Sequence, residues 1–432
     1  MAEICPFQAW RYDASRCPLA SVVTQPYDKI TPEMQERYYR SSPYNLVRII
    51  LGKAQPGDDA CNNSYSRAAG YFRDWRNTGI LVQDREPSIY AYSQQFQLSG
   101  EGRQLERRGF IALGRIADYP EKVVFRHEQT HSKPKADRLC LLRATRAHFG
   151  QIFMLYDDPG QRLEALLPWE SQPIAEIRDD YGVLNRLWKV SDPEIIECVR
   201  AGFAEQKLII ADGHHRYETA LNYRDERRAE NSRKERSPWD YVMMTFINLR
   251  SPGLLILPTH RVISRLPGFD ADRFVARASE FFQVESVGSE QSEAVLLEKL
   301  RSAPRHKNAM IAVAQNATYL LSASPEKLNG VLGSVSERQR RLDVVVLHKL
   351  LLERVLGISE EAIRKQNYIS YWRDAAEAIA AVQRREADAA FLMNPVDITQ
   401  MRDLALAGEF MPQKSTDFYP KLLSGLTIYA LE

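Results

Sequence analysis

Leu208-Ile209-Ile210-Ala211 is a short, fully apolar run that stops at Asp212-Gly213 and gives way to a helical pattern from about His215 to Arg236. A strand with no polar position is buried on both faces, so this segment commits the chain to a sheet covered by other layers. A glycine turn between strand and helix also brings together amides outside the helical ladder and the positive end of the helix dipole. Gly213 lets the backbone approach a ligand, and His214, His215 and Arg216 add donors where an anion would sit. Arg216 can grip phosphate with two parallel bonds. Asp212, at the carboxyl end of the strand, is placed to hold Mg2+ or to accept a proton.

The rest of the 432 residues alternates strand and helix patterns, which predicts an α/β or α+β fold, with two domains as the natural division. Prolines 6, 18, 26, 32 and 43 argue against long regular elements before Asn45. Residues 45–51 read as a buried strand and 64–79 as a helix with Tyr65, Ala68, Ala69, Phe72 and Trp75 on one face. Residues 88–98 and 108–116 read as a hairpin, 137–146 and 194–206 as helices, and 152–156 as a strand. The charged tract 224–236 reads as a solvated face and loop. A boundary is expected near 250–270. Beyond it come a strand at 254–263, a helix at 271–282, a hairpin at 310–323, a long helix at 342–356, a helix at 374–385, a strand at 389–393 and a helix at 397–407. His348, inside the apolar stretch 344–352, reads as a core-edge histidine.

Composition narrows the function classes. Lys+Arg is 58 against Asp+Glu 56, so bulk charge gives no reason to bind nucleic acid. No apolar run approaches the roughly 20 residues of a membrane span, and the N-terminus lacks the pattern of a signal peptide. The five cysteines (Cys5, Cys17, Cys61, Cys140, Cys198) are odd in number and scattered, which fits free, mostly buried thiols in a reducing, cytoplasmic compartment.

Leu208 to Ala220 resembles the phosphate-binding box of the ParB/sulfiredoxin superfamily, which includes CTP-hydrolysing ParB, sulfiredoxin and the ADP- or ATP-dependent free-serine kinases. The chain as a whole resembles the bacterial and archaeal family called domain of unknown function 1015. The matching pieces are Pro6-Phe7, Arg11-Tyr12, Pro26-Tyr27-Asp28, His127-Glu128-x-Thr130, Asp137-Arg138-Leu139, the Asp212–Arg216 box, Pro258-Thr259-His260-Arg261 and the segment from Met411 to Lys421.

The resemblance implies a ParB/sulfiredoxin-like phosphate-binding domain over 1–250, with an N-terminal elaboration. An α+β domain over 251–432 would complete the site. It implies phosphate contacts at Gly213, His214, His215 and Arg216, and a carboxylate base among Asp28, Glu128 and Asp212. The implied ligand is ADP or ATP with Mg2+, and the implied partner a small phosphometabolite, serine or phosphoserine, turned over in the kinase or phosphatase direction. The rival reading is a ParB-like nucleotide sensor without metabolite turnover.

Other residues join this picture. His127-Glu128-Gln129-Thr130-His131 matches a zinc-protease string, but Pro134 would break the helix that chemistry needs. A phosphate or substrate loop fits better, with Lys133 and Arg138 as anion contacts and Glu128 as a carboxylate. Tyr27, His127, Thr130, His260 and Arg261 are candidate substrate contacts. Lys414 lacks the glycine-rich loop of a true P-loop and is a candidate anion contact of its own. His214 is a candidate for proton transfer.

Overall fold

A computed structural model describes the chain except residues 99–101, 130–131, 231–235, 289–290, 305 and 316; of 132–134 only the backbone is described. The chain forms two compact units. The first comprises Met1–Arg126, Thr130–Leu255 and Pro420–Glu432, and the second His127–Gln129 and Ile256–Tyr419.

The first unit is built on a nine-stranded mixed sheet. Its strands are β1 (Ile4–Cys5), β2 (Ile89–Gln97), β3 (Gln104–Arg115), β4 (Val124–Phe125), β5 (Ile152–Tyr156), β6 (Ala175–Arg178), β7 (Leu184–Val190), β8 (Leu208–Asp212) and β9 (Tyr241–Asn248). The spatial order is β4-β8-β5-β9-β3-β2-β7-β6, with β1 also on β3. The β8–β4 and β9–β5 pairs are parallel and the others antiparallel. The expected hairpin is β2–β3, paired from Tyr90–Ile111 to Gln97–Gln104, and residues 99–101 of its turn lie outside the described residues.

Alternation along each strand splits the sheet into two unlike faces. On one face Phe110, Met154, Tyr156, Ile210 and Phe246 meet Val199 and Phe203 of helix Pro193–Phe203 and Tyr217 and Ala220 of helix His214–Glu230. Phe110 stacks on Phe246 at 5.1 Å, and Phe203 meets Phe246 edge-on at 4.9 Å. Asp192 caps the first of these helices through the amides of Glu194 and Ile195, with Pro193 in its first turn.

The other face carries buried polar residues. Asn185 Oδ1 accepts from Tyr92 (2.6 Å) and from Gln94 Nε2 (2.9 Å), and Gln94 Nε2 also donates to the Lys421 carbonyl (2.8 Å). Arg107, about 1% exposed, donates to Gln94 and to the Pro420 carbonyl and lays its guanidinium 4.7 Å from the Phe153 ring. The returning C-terminal segment, in which residues 422–428 are all buried, is thereby tied to the sheet.

The second unit holds a six-stranded antiparallel sheet. Its strands are β10 (His260–Ile263), β11 (Gln283–Ser286), β12 (Asn308–Ala314), β13 (Ala317–Ala323), β14 (Ile369–Trp372) and β15 (Ala389–Leu392), in the order β11-β13-β12-β15-β10-β14. Helices Glu293–Arg301 and Ala375–Gln383 cover one face through Leu296, Leu300, Ala378 and Val382. Asp374 caps the latter through the Glu377 amide.

Several expectations are corrected. Residues 45–51 contain a helix, Val47–Ile50, not a strand; a short, mostly apolar run has too little periodicity to distinguish the two. Pro32 starts a helix over Pro32–Ser41 instead of preventing one, because proline is tolerated at the first helical position. Pro134 likewise falls inside the first turn of helix Ser132–Thr145. Arg224 is buried rather than solvated, donating to the Ile116 carbonyl (3.1 Å) and to Asp118 (2.9 Å). Only Cys17 is a buried thiol; Cys61 and Cys198 are exposed, Cys198 lying off the apolar face of its helix. The long helix over 342–356 is α only to Val346 and a π-helix from Leu347 to Val355. Among the described residues no helix is long and apolar enough to cross a membrane.

Replacing Arg107 by methionine leaves the Gln94 amide and the Pro420 carbonyl without their cation. The unfolding free energy is expected to fall by about 2 kcal/mol, read as a lower denaturant midpoint.

Candidate functional site

Strand β8 is held between β4 and β5, and its register shifts between Ile210 and Asp212. The chain then turns at Gly213, whose φ of +94° is a conformation that other residues adopt only under strain. Helix His214–Glu230 begins at once, and its first backbone bond runs from Tyr217 N–H to the Gly213 carbonyl (2.9 Å). The amides ahead of Tyr217 lie outside the helix's own ladder, at the positive end of its dipole.

Arg216 folds back over this elbow. A Cβ at Gly213 would lie 3.1 Å from its guanidinium, and one at Gly150 would lie 3.5 Å from Nη1, so both glycines leave room for the side chain. Nη1 donates to the Gln151 carbonyl, and Nη2 is 3.6 Å from Asp212 Oδ2. Lys421 Nζ, from the C-terminal segment, is 3.7 Å from the same oxygen.

Burial raises the proton affinity of Asp212, but Lys421, Arg216 and Lys29 outweigh it and hold the carboxyl below its ordinary range. Asp212 is therefore a fixed negative charge at neutral pH and a weak base. Burial pushes His214 down to about 3; Asp212 opposes this shift, while His215, Arg126 and Arg216 reinforce it. The His214 ring is accordingly neutral at pH 7.

A cavity of about 70 Å3 lies beside Arg216 and is lined also by Tyr27, Arg138, His148, Gly150 and Thr219. The first unit thus brings Tyr27, Arg138 and Arg216 together. Asp28 follows Tyr27 in the short 3-10 turn Tyr27–Lys29 and is exposed. Arg138 spends its donors on Asp137 and on the Ile50 carbonyl (2.6 Å), and its plane lies 4.1 Å from the Tyr27 ring. His215 is half-buried, and its carbonyl accepts from Thr219 Oγ1 (2.8 Å).

The second unit gathers other candidates. His127 Nε2 is 2.9 Å from Thr416 Oγ1, which donates to Glu128 Oε1 (3.3 Å). Arg261 is fully buried, donating to the carbonyls of Thr259 and, at 3.2 Å, Lys414. Burial lowers it to about 10, with Tyr371 and Glu128 opposing. His260 Nδ1 accepts from the Met393 amide (3.1 Å), and burial pushes this ring down to about 4. Lys414 is exposed, with φ of +56°. Thr130 and His131 lie outside the described residues, and Lys133 belongs to the first turn of helix Ser132–Thr145.

Residue-by-residue reading missed Lys29, Arg126, Glu218 and Lys421. Glu218 is buried and binds Arg126 (2.6 Å) and Lys135 (2.8 Å). A carboxylate one turn after His214, on the face that carries Tyr217 and Leu221, was the available signal. Among the described residues no group of three or more His, Cys, Asp or Glu side chains is placed to hold a metal ion. Asp212 is the carboxylate nearest the elbow, and with two cations on one oxygen it fits Mg2+ only as a minor ligand.

Fold and site define a mixed α/β protein of two units, with a glycine elbow and an arginine beside a cavity in the first. The chain belongs to the family described as "Protein of unknown function (DUF1015)", whose model matches residues 4–345. No curated protein matches it. Among solved structures, it is similar to a conserved hypothetical protein from Pyrococcus furiosus (12% identity, 71% of this chain and 91% of that one, TM-score 0.35). It is also similar to a free serine kinase in complex with AMP (12%, 70% and 89%, 0.35). A third is SbnI with C-terminal truncation from Staphylococcus aureus (10%, 74% and 87%, 0.36). These backbones agree too loosely to transfer a mechanism.

Two outcomes are expected. Gly213→Ala forces a Cβ into a positive-φ position and against Arg216, lowering stability by about 1–2 kcal/mol in chemical denaturation. Because the Asp212 carboxyl is held low, its stabilisation is complete above its unfolded value near 4 and fades as pH falls below it. The stability gap between the wild type and Asp212→Asn is therefore widest near neutral pH and shrinks from about pH 4 downward.

Proposed function

We propose that the Asp212–Arg216 elbow binds the phosphates of ADP or ATP and that the protein moves a phosphoryl group between that nucleotide and a small hydroxylated metabolite, serine or phosphoserine. The observation that carries this reading is the Arg216 guanidinium lying over Gly213 at the helix start and lining a cavity. Loose phosphoryl-transfer transition states place charge on equatorial oxygens, and a preorganised guanidinium with a helix dipole stabilises such charge. Asp212 keeps Arg216 aimed and compensated; its low proton affinity makes it unsuitable as the base. Asp28 takes that role, since it is exposed and adjacent to Tyr27 of the cavity wall. Arg138 positions Tyr27. Mg2+, held chiefly by nucleotide phosphates with Asp212 as a minor ligand, would screen their charge.

The first unit, on this reading, is a phosphate-binding domain of the ParB/sulfiredoxin type, as the box at Leu208–Ala220 implies. The second unit carries a charged group of its own at Glu128, Arg261 and Lys414. The alternative, a nucleotide sensor, uses the same elbow without turnover.

A transfer screen with serine, phosphoserine and each nucleotide tests the proposal. Serine-dependent loss of ATP or ADP is expected. Arg216→Ala should lower kcat/KM by at least about 100-fold, and Asp28→Asn should lower kcat more than it raises KM. Nucleotide binding with no metabolite turnover would instead favour the sensor.

A further inference from the structure

The π-helix Leu347–Val355 borders a separate cavity of about 290 Å3 whose lining lies wholly within the second unit. A π-helix shifts side chains off α-helical spacing, and such segments occur often at functional sites. Here the widened ladder is followed by a bond from Leu356 N–H to the Leu351 carbonyl (2.8 Å).

His348 lines this cavity and is about 4% exposed, yet its Nε2 is buried with no hydrogen-bond partner among the described residues. A buried polar atom without a partner is destabilising, and a ligand contact would relieve that cost. Burial, with Arg261 and Lys349 adding to it, keeps the ring neutral, so it can accept as well as donate.

Ile363 and Phe410 supply an apolar wall. The charged lining is balanced in sign. Lys349 Nζ is 2.9 Å from Glu353 Oε1 and also pairs with Glu360, while exposed Arg364 forms no salt bridge among the described residues. A simple anion would meet two carboxylates there, and a simple cation two basic groups. A zwitterion answers both signs.

We propose that this cavity binds a free α-amino acid with an apolar side chain. The ammonium is directed at Glu353 and the His348 ring, the carboxylate at Arg364, and the side chain at Ile363 and Phe410. The site is independent of the phosphate elbow.

Calorimetric titration of the full chain with leucine, norleucine, methionine and phenylalanine tests this, with leucinamide and isocaproate as probes lacking one charge. At least one amino acid is expected to bind saturably with Kd below about 1 mM. Leucinamide and isocaproate should bind at least about 10-fold more weakly than leucine. Arg364→Gln, at an exposed position that keeps the fold, should weaken binding by a similar factor, whereas Arg216→Ala should leave it unchanged and so separate this site from the first unit. The proposal is overturned by the absence of saturable binding for all four amino acids. It is equally overturned by undiminished binding in Arg364→Gln, or by one of the single-charge probes binding as tightly as leucine.

Discussion

The carboxylate of Asp212 sits between two cations that reach it by different routes. Arg216 arrives from one helical turn later, across a glycine that leaves space for its guanidinium, and Lys421 arrives from the C-terminal segment. This charge triad sets the state of the elbow. It keeps Asp212 ionised, aims Arg216 and, together with burial, helps fix the charge state around a neutral His214. Its geometry depends on a second buried cation. Arg107 binds the Pro420 carbonyl one residue before Lys421, so the polar face of the sheet serves to locate the C-terminal segment. Gln94, bonded both to Arg107 and to the Lys421 carbonyl, closes the same network.

Burying so much polarity under a sheet is costly unless its groups are mutually satisfied. The opposite face needs no such arrangement, being filled by aromatic rings and helix side chains. The division of labour is physical. The apolar face holds helix His214–Glu230 in place, and the polar face delivers a lysine to its first turn.

Much of this was written locally in the sequence. The strand, the glycine and the helix at 208–230 follow from apolar content, a positive-φ residue and helical periodicity, all of which act over a few residues. The hairpin of β2 and β3 was readable for the same reason. What escaped reading depends on distant partners. Val47–Ile50 is a single turn buried at three of its four positions, too short for periodicity to mark it as helix. Arg224 looked like surface because its acceptors, Ile116 and Asp118, lie about a hundred residues earlier. Lys421 could not be matched to Asp212 without knowing that the chain returns to the first sheet. A π-helix differs from an α-helix by one step in its hydrogen-bond ladder, which leaves no clear mark in side-chain type.

The proposed enzyme and the alternative sensor make the same first demand on the elbow, since both begin with anion capture. A crystal structure of the chain grown with ADP probes that capture most directly. The account requires a phosphate oxygen within hydrogen-bonding distance of the Arg216 guanidinium, at the first turn of helix His214–Glu230. A nucleotide bound elsewhere, with the Arg216 guanidinium still closed on Asp212 and the Gln151 carbonyl and no phosphate before it, would contradict the account.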